Sequence, residues 1–363
     1  MADTLDKFTR SLKRFYEETG NMLLGGKKGI DQFLFDIDDM DTSANFALDD
    51  LIVNPEAVSF RQKDEQSHVR EYKAGKGTIY EVPHASEKTP ISEALRDAVV
   101  AGIESTGSFS AQNAKLLQGI INQHVAAHTV TRWKAAIDTI RTGKFTPLGI
   151  GGKSLGLEID FGRDVSLSIT YDFTAVGADI NEALYELIAA YRAQGGSYDN
   201  MCIILGRKWL KEFATDTTVI EYMKANGANQ IVMQSIMPPE LFNTQGLKMM
   251  ARYLVPGEIA PVYICAFEPR YKYVAYVGAD ASDFMPEDEA VIFSIGDDRY
   301  RVFRGVDALD GNGKAVRTVG EIVFDSFNTK DPVTELVRSQ TRFAMVPGNV
   351  NRTAQSTGTF SES

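Results

Sequence analysis

Two stretches of this chain cannot cover a hydrophobic core by themselves, and that limits the folds open to it. Between Gly29 and Phe60 there are eight carboxylates and no lysine or arginine, with apolar residues only in short pieces such as Phe33–Ile37. From Val58 the pattern changes to strand-like runs, Val58–Phe60, Ser67–Lys73 and Thr78–Val82, with the turn Ala74–Gly77 between the last two. This predicts a long hairpin. Its strands carry Arg61, Lys63, Arg70, Glu71, Lys73 and Lys76, so neither face is apolar. A two-stranded ribbon is marginal alone in water, and this one is expected to rest on another surface. Asp36, Asp38 and Asp39 of the acidic arm are opposite in sign to Arg61, Arg70, Lys73 and Lys76 of the ribbon. Contact between subunits would use both; solvent exposure of both stays open beside it. The arm is not expected to hold a metal, because DIDDMD (Asp36–Asp41) lacks the glycine and distal glutamate of a helix-loop-helix calcium site.

The rest of the chain mixes helices and strands. Asp3–Thr19 reads as a helix with Leu5, Phe8, Leu12 and Phe15 on one stripe. Ser92–Ser105 reads as a short helix and Ala111–Thr142 as a long one, spanning about 48 Å. Along the long helix Ala126, Val130, Trp133, Ile137 and Ile140 recur at intervals of four and three, with Leu117, Ile121, His124 and His128 on an adjacent stripe. It should lie along a sheet, with Gly143 as its C-terminal cap. Strand signals follow at Leu157–Phe161 and Leu167–Tyr171. A helix over Asp179–Gly195 then opens with Asp179 and Glu182 at capping-box spacing. Beyond it come the apolar strand Met201–Leu205 and helical segments around Trp209–Phe213 and Val219–Lys224. Further strands are expected at Val262–Phe267, Tyr271–Val277, Ala290–Ile295, Tyr300–Phe303, Val316–Phe324 and Glu335–Val346. Without a regular strand-helix-strand repeat the class is α+β. The Ser/Thr-rich tail 351–363 is expected to be flexible.

Composition removes several function classes. The chain has 363 residues, enough for about two lobes, and 38 basic against 49 acidic residues leave a net charge of -11. A nucleic-acid binder normally carries a basic face, so tight general binding to DNA or RNA is not expected. Cys202 and Cys265 both sit in apolar runs, where a free thiol behaves as a small hydrophobe, which fits a reducing, cytosolic setting. No apolar stretch approaches a membrane span, and the charged start of the chain does not read as a signal peptide.

The motifs that look chemical fail in context. Gly152–Gly156 (GKSLG) matches the serine-hydrolase elbow around Ser154, but a strand signal follows it, and the last histidine, His128, precedes it. The overlapping GIGGKS would place the first glycine of a phosphate-binding loop at Pro147. His124 and His128 have the spacing of a shared metal site, yet Val125 stands where a metalloprotease helix has its glutamate; a pair on a packing face is the simpler reading. Asp307–Gly313 is a turn signature for a hairpin. No catalytic residue, cofactor or metal site emerges.

Several segments, in order, resemble the lambda-type major capsid proteins of tailed bacteriophages, which have the Hong Kong phage capsid fold. They are RTGKFTPLG (Arg141–Gly149), LEIDFGRD (Leu157–Asp164), GRKWLKEF (Gly206–Phe213), DFMPED (Asp283–Asp288) and NTKDPVTELVRSQTRFAMVPGNV (Asn328–Val350). The likeness spans about Asn45–Val350. It implies an N-terminal arm (1–55), an extended β-hairpin loop overlapping a neighbour (56–90), and a peripheral domain with a long spine helix (91–178). An axial α/β domain (179–288), return strands of the peripheral domain (289–350) and the tail (351–363) would follow. It departs from the family in a longer head before Gln32, an apparent insertion at Gly227–Arg252 and the tail. The implied function is a major capsid protein that self-assembles into hexamers and pentamers of an icosahedral head around double-stranded DNA. That DNA would be enclosed without sequence-specific binding, in a virion assembled in the host cytoplasm. Portal, scaffold and possible decoration proteins are the implied partners, with no membrane and no cofactor. A cellular nanocompartment shell of the same fold is the near alternative, and a hydrolase using Ser154 the distant one. Ser154→Ala is expected to leave melting temperature and particle yield unchanged; a change in either returns Ser154 to consideration.

Overall fold

The computed structural model describes residues 28–48, 78–91, 97, 111–147, 157–225, 241, 243–269, 272–274, 280–309, 314–328 and 335–361. The helix expected over Asp3–Thr19, the strands at Val58–Phe60 and Ser67–Lys73, and nearly all of Ser92–Ser105 lie outside them. In chain order the elements begin with α1 (Ile30–Leu34), β1 (Ile37–Asp41), β2 (Asn45–Leu48), β3 (Thr78–Glu81) and β4 (His84–Ile91). Next are α2 (Ala111–Thr142), β5 (Lys144–Phe145), β6 (Ile159–Asp160), β7 (Ser168–Asp172), α3 (Ile180–Ala193), β8 (Met201–Leu205), α4 (Arg207–Thr215) and α5 (Thr217–Ala225). The remaining strands are β9 (Leu247–Tyr253), β10 (Val262–Phe267), β11 (Glu289–Ser294), β12 (Arg299–Arg304), β13 (Val306–Leu309), β14 (Ala315–Thr318), β15 (Val323–Asn328), β16 (Glu335–Pro347) and β17 (Thr353–Thr359).

The organising element is a six-stranded sheet in the order β7-β17-β11-β8-β10-β9. An unbroken apolar run such as Met-Cys-Ile-Ile-Leu makes a strand that must be covered on both faces. All five residues of β8 are buried. Its side chains alternate: Cys202 and Ile204 join one core, Met201, Ile203 and Leu205 the other. The first core takes Trp133, Ala136, Ile137 and Ile140 from α2 together with Phe33 and Leu34 from α1. The second takes Ile180, Leu184, Leu187 and Ile188 from α3 and Trp209 and Phe213 from α4. Each of the leucine, isoleucine and phenylalanine side chains among them contributes about 1.5–3 kcal/mol by leaving water. The two free cysteines are buried on neighbouring strands with their sulfurs 3.6 Å apart.

A second sheet runs β1-β12-β16-β15, with β4 also on β16. The long β16 serves two partnerships in succession: Glu335–Gln340 lies between β4 and β15, and Phe343–Pro347 pairs with β12. Near the arm, β2 pairs antiparallel with β3 so that Leu48 lies opposite Thr78. The expected hairpin at Asp307–Gly313 has its two legs in β13 and β14. Of Tyr271–Val277, the described residues include Tyr273, which forms only a bridge to Ser282.

One expectation is corrected. The tail is not flexible over its described residues: β17 lies between β7 and β11, with Thr353, Ala354 and Ser356 buried. Its small side chains let α2 and α3 approach it, and Phe360 stacks on Phe173 at 4.8 Å. Low hydrophobicity there reflects burial by neighbours rather than disorder. The six-stranded sheet draws β7 from the stretch before Asp179, β8, β9 and β10 from 179–288, and β11 and β17 from beyond Asp288. The apparent insertion at Gly227–Arg252 supplies most of β9, the edge strand beside β10, a position where a segment can be added without opening the ladder. Truncation after Arg352 should therefore abolish soluble expression, since losing an interior strand exceeds the 5–15 kcal/mol by which a domain is stable. Removal of only the last two residues should leave the melting temperature unchanged; equal melting curves for both truncations would refute the placement of β17.

Candidate functional site

The sequence offered no active site, and the structure instead draws its charged residues together where the arm, α2 and β12 meet. The acidic arm strand β1 runs parallel to β12, Arg-Tyr-Arg-Val-Phe-Arg, in a register that sets Asp38 beside Arg301 and Asp41 beside Arg304. Arg301 binds Asp38 at 2.6 Å and Asp31 of α1 at 3.4 Å, and Arg304 binds Asp39 at 2.8 Å. Arg132 of α2 reaches Asp31 at 3.2 Å, and both arginines reach Glu321. Asp31, Arg132 and Arg301 are all buried. Burial lifts the Asp38 carboxyl above its usual range against the pull of Arg301. Removing one partner from such a cluster strands a charge away from water, typically at about 3–5 kcal/mol. The cluster fixes where the arm lies.

Asp38 and Asp39 thus have partners inside the chain, while Asp36 is exposed between α1 and β1. Arg61, Arg70, Lys73 and Lys76 lie outside the described residues, as does Ser154. Asp31, Arg132, Arg301, Arg304 and Glu321 were not singled out from sequence. A signal existed: an arm with carboxylates and no cation implies a cationic partner, and β12 carries three arginines in six residues.

A second junction explains the most specific segment of the sequence. Helix α2 ends at Gly143, whose φ of +70° favours glycine and whose N–H reaches the Thr139 carbonyl at 2.9 Å. A side chain there would also strike Arg163, with its Cβ 2.6 Å from that of Arg163. Arg163 donates to the Arg141 carbonyl at 2.5 Å and the Ile140 carbonyl at 3.3 Å, satisfying the open end of the helix. Burial, with Arg141 nearby, pushes its guanidinium down to about 10. Arg141 forks onto Glu289 of β11 at 2.8 and 3.0 Å, and Lys144 pairs with Glu158 and Asp160 across β5 and β6. The run from Arg141 to Asp164 is therefore a device that ends the long helix and ties it to the central sheet.

His124 and His128 sit on a packing face. Both rings meet the Ser339 hydroxyl of β16, at 2.6 and 2.9 Å, and the other nitrogen of His124 meets Thr89 of β4 at 2.7 Å. A neutral imidazole offers one donor and one acceptor, which suits this chain of hydroxyls. Burial drives His124 down to about 4 and His128 to about 3 from an ordinary 6.5. The unfolded chain therefore takes up protons first as pH falls. Stability is full above about pH 6.5 and drops below it, by about 1.4 kcal/mol per histidine per pH unit until each folded pKa is reached. His128→Gln should flatten the fall of the urea midpoint between pH 6 and 4.5 by roughly half relative to the parent; an unchanged slope would contradict this account.

Comparison with known proteins gives the architecture its context. The structure superposes on the prophage capsid protein of E. coli CFT073 with a TM-score of 0.60 and 14% identity, over 97% of this chain and 99% of that one. The mature capsid of bacteriophage PhiM1 gives 0.40 at 11% identity, covering 89% and 84%. Mycobacterium phage Adephagia gives 0.44 at 13%, covering 93% and 92%. The likeness of fold rests on the first. No curated protein matches in sequence. Among the described residues no helix is long and apolar enough to cross a membrane. Residues 30–357 match the model of the family Phage major capsid protein E, and the chain belongs to that family: it is a structural, non-enzymatic subunit of a bacteriophage virion shell.

Proposed function

We propose that this subunit forms hexamers and pentamers that close into an icosahedral head around double-stranded DNA, with the extended loop expected over 56–90 overlapping an adjacent copy. The observation that carries this is the pairing of β2 with β3, which sets Leu48 opposite Thr78. The end of β2 and the start of β3 therefore lie side by side, with residues 49–77 of the sequence between them. Within that stretch Arg61–Lys76 is net positive, with Arg61, Lys63, Arg70, Lys73 and Lys76 against three carboxylates, and such a segment gains most from an acidic neighbour. Asp36 and the outer faces of Asp38 and Asp39 are the acidic groups we assign to that contact. Helix α2 acts as the spine that carries the arm on one side and the central sheet on the other. Closed shells need contacts that are individually weak, so that misplaced subunits can leave, and strong together. A net charge of -11 suits a wall that encloses a polyanion without gripping it. The reading calls for a portal and a scaffold, and leaves room for a decoration protein.

The test is negative-stain microscopy of the expressed chain and of a variant in which residues 61–76 are replaced by a short Gly/Ser linker. Thr78–Glu81 and Val82 are kept because β3 pairs with β2 and Val82 is buried. The parent should give particles, and the variant folded subunits or capsomers without shells. Normal particles from the variant would overturn the overlap.

A further inference from the structure

The two flanks of the six-stranded sheet differ in a complementary way. At one edge, β9 runs into the turn Val255-Pro256-Gly257-Glu258, closed by the Glu258 N–H on the Val255 carbonyl at 3.0 Å. Gly257 has φ +88°, as a type II turn requires at that position. The turn is braced: the buried Glu258 carboxylate pairs with Arg192 of α3, and Tyr185 of α3 packs beneath Gly257. It nevertheless holds Ile259 78% and Leu254 39% exposed. At the opposite edge, the single helical turn before β7 is equally fixed. Asp164 accepts from the Ser166 N–H at 2.9 Å and its hydroxyl at 2.7 Å, while the Asp164 N–H donates to Asn351 at 3.0 Å. This rigid turn holds Val165 85% exposed.

Strand directions put the two features at the same height. β7 is parallel to β17, which is antiparallel to β11; β11 is antiparallel to β8; β8 is parallel to β10, which is antiparallel to β9. The C-terminal end of β9 and the N-terminal end of β7 therefore share one end of the sheet. The C-terminal end of α3 touches both, through Arg192 to Glu258 and Gln194 to Ser166 at 3.1 Å. Ile259 and Val165 are both largely exposed, so neither covers the other within one chain. Charge follows the same division: exposed Arg252 precedes Leu254, and exposed Asp164 precedes Val165.

We propose that these flanks join successive copies of the chain head to tail, with Leu254 and Ile259 of one copy against Val165 of the next and Arg252 facing Asp164. The occupant is a second copy because the two flanks are complementary in charge, Arg252 against Asp164, each with an apolar projection beside it, and every copy carries both. Two different patches in contact propagate around a ring, whereas a patch meeting itself stops at a dimer. This assignment rests on the shell-building reading and specifies one of its contacts.

The test places cysteines at the two sites, Val165→Cys and Ile259→Cys, in the full chain; the native Cys202 and Cys265 are buried and give little background. Under mild oxidation, particles of the double variant should give a ladder of linked species on non-reducing gels, up to a closed ring. An equal mixture of the two single variants should stop at dimers, and each single variant alone should give none. Linked dimers from either single variant alone would mean like meets like, and particles without links would mean the flanks do not meet; either overturns the proposal. Parent chain that forms no particles, either alone or co-expressed with its scaffold, defeats the shell reading itself. Should the double variant fail to assemble, Ile259→Asp decides: at least a tenfold loss of particles with unaltered melting supports the contact, and normal yield refutes it.

Discussion

A strand buried on both faces needs two partners, and most of this molecule is arranged around that demand. Met201–Leu205 and its neighbours in β10 and β11 direct alternate side chains into two cores. One face is met by a helix of 32 residues, the other by two short helices whose apolar residues lie on one side. Because both faces are taken, the sheet can grow or make contacts only at its edges and ends. The parts that project from it do so from those places: the β9 turn and the turn before β7.

Charge then determines what hydrophobic burial leaves open. Arm helix α1 is only five residues long and could not hold its place by apolar contact alone. Asp31 inserts between Arg132 and Arg301, and β1 lays its aspartates along the arginines of β12. Such buried pairs add little net stability, but they penalise every alternative placement in which a charge would be stranded. The arm is thereby registered on α2 and β12, and α2 is registered on the central sheet by Arg141, Glu289 and Arg163.

Elements whose burial is encoded locally were legible in the sequence. The bounds Ala111–Thr142 follow from a sustained helical period and a terminal glycine, and Met201–Leu205 from an unbroken apolar run. Asp179 caps α3 as its spacing implied, although Glu182 turns to the Tyr171 hydroxyl instead of closing a capping box. Elements whose burial depends on distant partners were not legible. β17 is polar and small, and only the bulk of α2 and α3 makes it a core strand. β4 reads as a polar segment containing Pro90, tolerated because among the described residues β16 is its one strand partner. β1 is too acidic to look like a strand until β12 supplies the counter-charge. At the site, the segment Arg141–Asp164 marked the family, but its cause, a guanidinium closing the end of a helix from twenty residues away, required the fold.

The position of β17 has a consequence for how the subunit comes into being. β7 must wait for a partner encoded almost two hundred residues downstream, and until residues 353–359 emerge from the ribosome, β7 and β11 each keep an unsatisfied row of amides and carbonyls. Pairing over such sequence distances is slow, and open strand rows invite aggregation. A nascent subunit is thus withheld from its neighbours until that segment arrives, which couples readiness for construction to the making of β17.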